Sequence, residues 1–539
     1  MRFMICRSRF FPLLLLLSFV SPTFAQETIS NQTGSIRGTV VDTRTGQPIA
    51  GASVTVRGVW GSEGRSSTAT GPDGAFSLRG LPAGRYRVEA SQSGYVDSSR
   101  LHEGFRGNPA AMISVGAGQN VDDVIVRLAP AGSIAGKIVN GSEQPLTGIL
   151  VSAMKASYRD GQREFSDSHT AFTDDRGEFR IAGLAPGHYF IKATAPRGWE
   201  KGPAPAKVYV PVFYPGVTDA TQTQPIDLRP GDEMNGINLT LNLQRAVHVK
   251  GRILTLNARG AKGAEISLSQ LPASGYTIEA EADAAGKFDI AAVPPGSYLL
   301  EAQLSEDADS ERVLMGRTTV SVAEINVDVP DVTVFSGATV SGHIGVEGDR
   351  KITMGRTRVS LKPASSGEGG DMGSAVVQAD GSFEFHDVPE GTYRVQLSSP
   401  PEGYYRKATA DSPDANVVVS HGHAPPVEIR LNSGAGQIQG SVYSDGENQK
   451  AEPSATVILI PDTSRRSNAE NYRFAIADRS GKFSLRSIPP GEYMILAFEN
   501  LDRDAYMDPV FIQEYEGAGK TVRVEEGSTL SVDLQTTLQ

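Results

Sequence analysis

The feature that most constrains this chain is a phrase that recurs five times without a slip in its spacing. It first reads Asp73-Gly74-Ala75-Phe76, then Leu81-Pro82-Ala83-Gly84-Arg85-Tyr86. Its later copies run Phe179…Gly187-His188-Tyr189, Phe288…Gly296-Ser297-Tyr298, Phe383…Gly391-Thr392-Tyr393 and Phe483…Gly491-Glu492-Tyr493. In each, the Gly follows the Phe by eight residues and the Tyr by ten. Successive Phe positions are 103, 109, 95 and 100 residues apart. A unit of that length can bury its own core, so the period describes tandem domains and not the turns of a solenoid.

The chemistry of the phrase is that of a strand, a tight loop and a second strand. The Asp and Gly before each Phe suit a turn, because Asp bonds nearby backbone amides and Gly accepts a positive φ. In repeat three, Ala284-Ala285 stand inside this turn and are expected to weaken it. Apolar residues then alternate, as in Phe76/Leu78 and Tyr86/Val88/Ala90, the pattern of half-buried strands. The Pro-x-Gly between them ends one strand and turns the chain. About forty residues upstream each unit opens on a strand (Ser35–Val40, Ser133–Ile138, His248–Ile253, Val340–Ile344, Gln437–Val442), followed by another rich in β-branched residues. Each closes on an alternating strand such as Val121–Leu128, Ile237–Leu243 or Leu530–Leu534. Short strands between turn signals, with no sustained helical period, predict an all-β protein of five tandem Greek-key β-sandwiches. The predicted bounds are 1–25 for a leader, then 26–130, 131–244, 245–335, 336–432 and 433–539.

The opening Gly-x-Val, the segment Pro48-Ile49-Ala50-Gly51-Ala52-Ser53-Val54, the Asp-x-x-Gly-x-Phe turn and the Leu-Pro-x-Gly-x-Tyr loop resemble the carboxypeptidase regulatory-like domain. The resemblance implies a transthyretin-like (prealbumin-like) sandwich, related to collagen-adhesin B-type repeats and to starch-binding-like folds. In metallocarboxypeptidases such a module sits beside the catalytic domain and holds no catalytic residues. The resemblance thus implies a scaffold or binding role.

The N-terminus has the layout of a cleavable secretion signal. Arg2, Arg7 and Arg9 precede the apolar run from Phe10 to Val20, and Thr23-Phe24-Ala25 offers small residues for cleavage. The run is too short to span a bilayer comfortably. The single cysteine, Cys6, lies before it, so the processed chain would have no thiol, disulfide or cysteine metal site. Processing removes three positive charges and no negative ones, taking the net charge from −11 to −14. That sign opposes non-specific nucleic-acid binding and attraction to anionic lipid, and no later segment has eighteen consecutive apolar residues to insert into a membrane. A periplasmic, envelope or secreted location is expected.

Signs of catalysis are sparse. None of the eight histidines has Glu three residues later, as a zinc carboxypeptidase needs, and no nucleophile elbow, phosphate loop or dinucleotide fingerprint occurs. No enzyme activity, cofactor or metal is expected. On a strand, His421-Gly422-His423 would set two rings on one face, but with no third ligand a solvated loop pair is the better reading. Repeat two carries an insertion, Gly198 to Gln224, with Trp199, Tyr209, Phe213 and Tyr214. Such rings stack on sugars or anchor a protein partner, or else cover their own domain. These four are the candidate ligand-binding residues, and Trp60 in the Val59–Gly64 loop shares the ambiguity. Lys137 with Asn238 or Asn242, and Lys250 with Asn326, sit on strands where collagen-adhesin B repeats often form Lys–Asn isopeptide crosslinks, but repeats one, four and five have no Lys in that first strand, so the device is not general here.

The leading expectation is a non-catalytic envelope scaffold or adhesion protein, its five sandwiches forming a semi-rigid rod on short linkers near Ala129-Pro130, Gln244-Arg245, Ser336-Gly337 and Ser433-Gly434. Its partner would be an envelope protein or a polysaccharide. A carbohydrate-binding protein proper is the alternative, and a peptidase-associated enzyme the third reading. N-terminal sequencing of exported protein should begin at Gln26; a processed form that keeps Cys6 would show a membrane anchor instead.

Overall fold

The computed structural model describes residues 33–537, apart from 60–64, 98–111, 160–161, 197–205, 272–276, 306–312, 348–353, 365–371, 408–415, 445–449 and 502–504, and single residues 454, 467, 479 and 500. The chain is built almost wholly of β-strands, arranged as sandwiches. In the first repeat, strands Gly34–Asp42, Ala75–Leu81, Tyr95–Val96 and Asn120–Pro130 form one sheet, and Ser53–Val59, Arg65–Ala69, Gly84–Ser91 and Met112–Val115 the other. Repeat four repeats this scheme strand for strand. The opening strand of each unit pairs antiparallel with the Phe strand on one side. On its other side it pairs parallel with the closing strand. Each repeat has a separate core, lying within residues 36–128, 134–241, 247–334, 338–431 and 438–534.

The recurring phrase explains itself in the structure. Across the ladder each Phe faces a glycine of the opening strand: Gly38 opposite Phe76, Gly136 opposite Phe179, Gly251 opposite Phe288, Gly342 opposite Phe383 and Gly440 opposite Phe483. A Cβ at Gly251 would stand 2.7 Å from the Phe288 ring, and one at Gly342 would collide with both the Phe383 ring and the Val427 carbonyl. The glycine is therefore a requirement of close approach, with the ring on one side and the closing strand on the other.

The turn before each Phe is closed the same way five times. Its glycine (Gly74, Gly177, Gly286, Gly381, Gly481) has φ between +70° and +91°. That glycine's carbonyl accepts from the opening strand at Val40, Ile138, Ile253, Ile344 and Val442, at 2.7–2.9 Å. The Asp carboxylate caps the turn's own amides, as where Asp174 accepts from Arg176 and Glu178 at 2.9 and 2.8 Å. The weakening expected in repeat three is absent: Asp283 accepts from Ala285 and Lys287, both at 2.8 Å. The turn rests on the Asp and the Gly, and Ala285 supplies the same backbone N–H that a polar residue would.

The Tyr that ends the phrase is buried in every unit, at 0–2% exposure. A buried phenol needs a partner, and each finds the carbonyl four residues earlier. Tyr86 donates to Pro82 at 2.7 Å, Tyr189 to Ala185 at 2.9 Å, Tyr298 to Pro294 at 2.8 Å, Tyr393 to Pro389 at 2.9 Å and Tyr493 to Pro489 at 2.8 Å. The Pro-x-Gly loop is thus pinned from inside, and the apolar ring fills the core beneath it.

Successive units are joined with almost no spacer. Strand Asn120–Pro130 is followed by Gly132–Asn140, and Val332–Ser336 by Ala338–Val346. Because the cores are separate, a core lesion should stay local. Phe179→Ala is expected to destabilise unit two by about 3–5 kcal/mol, and Gly342→Ala unit four by about 1–3 kcal/mol through overpacking. Calorimetry of the intact chain should show a single component move in each case, whereas a uniform shift of the whole transition would mean that the cores are coupled.

Candidate functional site

The insertion of unit two folds back on its own domain. Strand Lys207–Tyr209 pairs with Leu243–Arg245, and strand Val212–Phe213 adds to the edge of Gly187–Thr194, with Phe213 opposite Lys192. Phe213 is 1% exposed and packs with Met154, Phe190 and Ala220 in a second apolar cluster. Phe165 meets Phe190 edge-on at 5.0 Å, and the Arg163 guanidinium lies 5.2 Å from both rings. Asp219 caps the 3-10 turn Ala220–Gln222 that closes this cover. Tyr209 and Tyr214 are half-buried against the main core, and the Tyr214 carbonyl accepts from the Thr223 hydroxyl at 2.8 Å.

Of the four candidate residues, then, the structure brings three to one domain cover. Phe213 has no ring face for a ligand, because the residue before it in the strand ladder is already part of the sheet and its side chain fills the layer beneath the insertion. Trp199 lies outside the described residues, as does Trp60. His421-Gly422-His423 lies in a loop, as the preferred reading has it, and not on a strand. Ser420 and His423 exchange backbone hydrogen bonds at 2.9 and 3.0 Å, so the two histidines leave a tight turn and not one face of a strand. His421 instead meets Phe335 edge-on at 5.4 Å, at the joint between units three and four. Among the described residues no group of three His, Cys, Asp or Glu converges to hold a metal ion. The crosslink candidates have other contacts. Asn238 accepts from the Lys137 backbone N–H at 2.9 Å, Asn326 from that of His248 at 3.0 Å, and the Lys250 ammonium pairs with Asp289 at 2.9 Å.

Unit five has a cover of its own that the sequence reading missed. Ile458, Ile460, Leu496 and Phe498 point out of the sandwich and are buried by Tyr472, Tyr506, Phe511 and Ile512, which come from residues 463–472 and 505–515. Phe498, Phe511 and the half-buried Tyr515 form a cluster with ring centres 4.7–5.5 Å apart. The signal was present in Thr456–Pro461, whose six residues are all buried. An unbroken apolar strand is what burial on both faces demands. Beside it, the Arg465 guanidinium lies 4.6 Å from the Tyr493 ring and donates to the Tyr493 hydroxyl and to the Pro490 and Glu492 carbonyls.

Both covers reach other units. Glu470 of unit five enters unit four, accepting from the Leu397 backbone N–H at 2.6 Å and from Arg406 at 3.1 Å. Burial pushes its carboxyl above the usual range, against the opposing pull of Arg406. Arg486 pairs with Glu402 at 2.5 Å across the same joint. On its far side unit five meets unit two, where strand Leu150–Arg159 packs on the 3-10 turn Ala505–Met507. The Tyr158 phenol there hydrogen bonds to Asp508 and Arg163. Burial, reinforced by the Asp508 carboxylate, raises the Tyr158 pKa far above the ordinary phenol value. Units two and five would not meet in the expected rod; strand Leu150–Arg159 of unit two and the turn Ala505–Met507 in the cover of unit five give each of them a face for the other.

Residues 35–128 match the family model of the carboxypeptidase regulatory-like domain. The chain is 20% identical over 401 residues to the Staphylococcus epidermidis serine-aspartate repeat-containing protein F, covering 66% of this chain and 22% of that protein. It is 24% identical over 341 residues to BOS complex subunit NOMO1 of Mus musculus, covering 60% of this chain and 25% of that one. It therefore spans about a quarter or less of these curated relatives. Among solved structures, a streptococcal ancillary pilin matches 56% of this chain and 99% of its own at 13% identity, with a TM-score of 0.21.

The cover of unit two assigns Phe213 a structural role. Phe213→Ala should lower the stability of that unit by about 3–5 kcal/mol, the range for a truncated buried ring. Thermal unfolding of the intact chain reads this as an earlier unit-two transition. An unchanged transition would show that the insertion does not cover the sheet.

Proposed function

We propose that the chain is a non-catalytic array of five carboxypeptidase regulatory-like domains, with the bounds given above, acting as a scaffold or adhesion protein of the cell envelope. One observation carries this reading: the residues that recur in every repeat are consumed by folding. The Asp caps a turn, the Gly admits a ring, the Phe fills the core and the Tyr pins a loop. A repeated catalytic site would leave recurring polar groups turned toward a cleft, and these are turned into the backbone. The match of the first repeat to a regulatory-like domain supports the same reading. The secretion-signal layout at the N-terminus and the acidic charge support an envelope or extracellular location.

Carbohydrate binding is the second reading, favoured by the half-buried Tyr209 and Tyr214 on the one large insertion. Such rings keep a polar edge at the surface while their bodies pack below. Trp199, in the same insertion, is the third ring in this proposal. The two readings separate in one experiment on the intact chain. If carbohydrate is the ligand, retention on insoluble polysaccharide should weaken on Trp199→Ala by on the order of 1–3 kcal/mol, with the unit-two melting temperature unchanged. No retention, with capture by a defined envelope protein, leaves the scaffold reading alone. Release of C-terminal residues from peptides that is lost on chelation would overturn the non-catalytic assignment.

A further inference from the structure

Among the described residues, units two and five carry a second apolar cluster on the outer face of a sheet. These are also the units that touch, strand Leu150–Arg159 of unit two packing on the turn Ala505–Met507 of unit five, although 350 residues separate Tyr158 from Asp508. The contact is built from the specialised parts of both. On unit two, Arg163 is fixed by the Phe165 and Phe190 rings and by its 2.7 Å bond to the Thr221 carbonyl of the insertion, and it holds the Tyr158 phenol. On unit five, Asp508 lies between the turn Ala505–Met507 and the short helix Pro509–Tyr515, which are the elements that cover its sheet. The Asp508 backbone carbonyl accepts from the helix, through the Ile512 N–H at 2.9 Å.

We infer that the hairpin of strands Leu150–Arg159 and Gln162–Phe172 in unit two and the cover of unit five around Ala505–Tyr515 are the two halves of an intramolecular latch, centred on Tyr158 and Asp508, which holds the array folded back on itself. Breaking it leaves both covers intact and frees unit five to swing about the joints of units three and four. A buried or half-buried charged hydrogen bond of this kind depends on both partners, since removing one leaves the other desolvated and unpaired.

Small-angle X-ray scattering on the intact chain tests the latch, read with Asp508→Lys and, from the opposite unit, Tyr158→Ala. Asp508→Lys replaces the acceptor of the Tyr158 phenol with a positive charge. The native chain should give a compact curve that does not change on dilution, and each variant should increase the radius of gyration and the maximum dimension. Calorimetry on the same samples should show the unit-two and unit-five transitions in place, which separates opening from unfolding. A native chain that already has the dimensions of five units in line would overturn the inference. So would variants that scatter like the native chain, a compact form lost on dilution (a contact between chains), or expansion that appears only with loss of a unit's transition.

Discussion

Everything in these units depends on how closely three strands approach at one point. A glycine in the opening strand lets the Phe ring lie over the backbone on one side and the closing strand bulge in on the other. Any side chain there would collide with a ring or a carbonyl, and overpacking of a dense core costs on the order of 1–3 kcal/mol. The Asp-Gly turn sets the register that brings the Phe to its glycine, because the turn glycine's carbonyl is bonded to the opening strand two residues further on. The Tyr hydroxyl then fixes the loop that leads the chain into the second sheet. Three local devices, repeated five times, thus specify one non-local contact.

Once that contact is made, what distinguishes the units is how their outer sheet faces are treated. Unit one leaves its outer face polar, with strand Arg65–Ala69 exposed and half-buried by turns. Units two and five add covers, and their central strands change character to match: Tyr189–Ala193 and Thr456–Pro461 are buried without a break. Buried polar groups appear where those covers meet neighbouring units. Glu470 is satisfied by a backbone amide and a guanidinium of unit four, the combination that a buried carboxylate requires. Aromatic residues in an insertion are therefore read most safely from the strand beneath them. If that strand alternates, the rings are free for a ligand; if it is apolar throughout, they are its second layer.

The fold was legible because its determinants are local. Turn chemistry, alternation and fixed spacing lie within about twenty residues in each repeat, and the strand–loop–strand reading needs nothing from outside. The parallel pairing of the opening and closing strands was not legible, since some ninety residues lie between Ser35 and Leu128 and no local pattern encodes which edge the last strand joins. The candidate site was half legible. The insertion stands out by its length and its rings, but spacing alone leaves Phe213 open between a ligand and its own domain, and the strand that decides it is Tyr189-Phe190-Ile191, apolar on both faces. The cover of unit five was missed for a related reason: its rings are scattered from Tyr472 to Tyr515 and converge only in three dimensions. Contacts between units, such as Tyr158 with Asp508, leave no trace in spacing or composition.

The parallel pairing of first and last strands has a mechanical meaning. In unit one, Ser35 lies beside Asn120 and Asp42 beside Leu128, so the chain enters at one end of the pair and leaves at the other. Tension along the chain pulls these two strands in opposite directions along their length. The ladder bonds between them are then loaded together, in shear, instead of being peeled apart one at a time. Resistance to pulling is governed by the barrier to unfolding and not by equilibrium stability, and shear raises that barrier by requiring many bonds to fail at once. With almost no slack between units, force passes from one closing strand into the next opening strand. A chain assembled this way transmits load through the same strand pair in every domain.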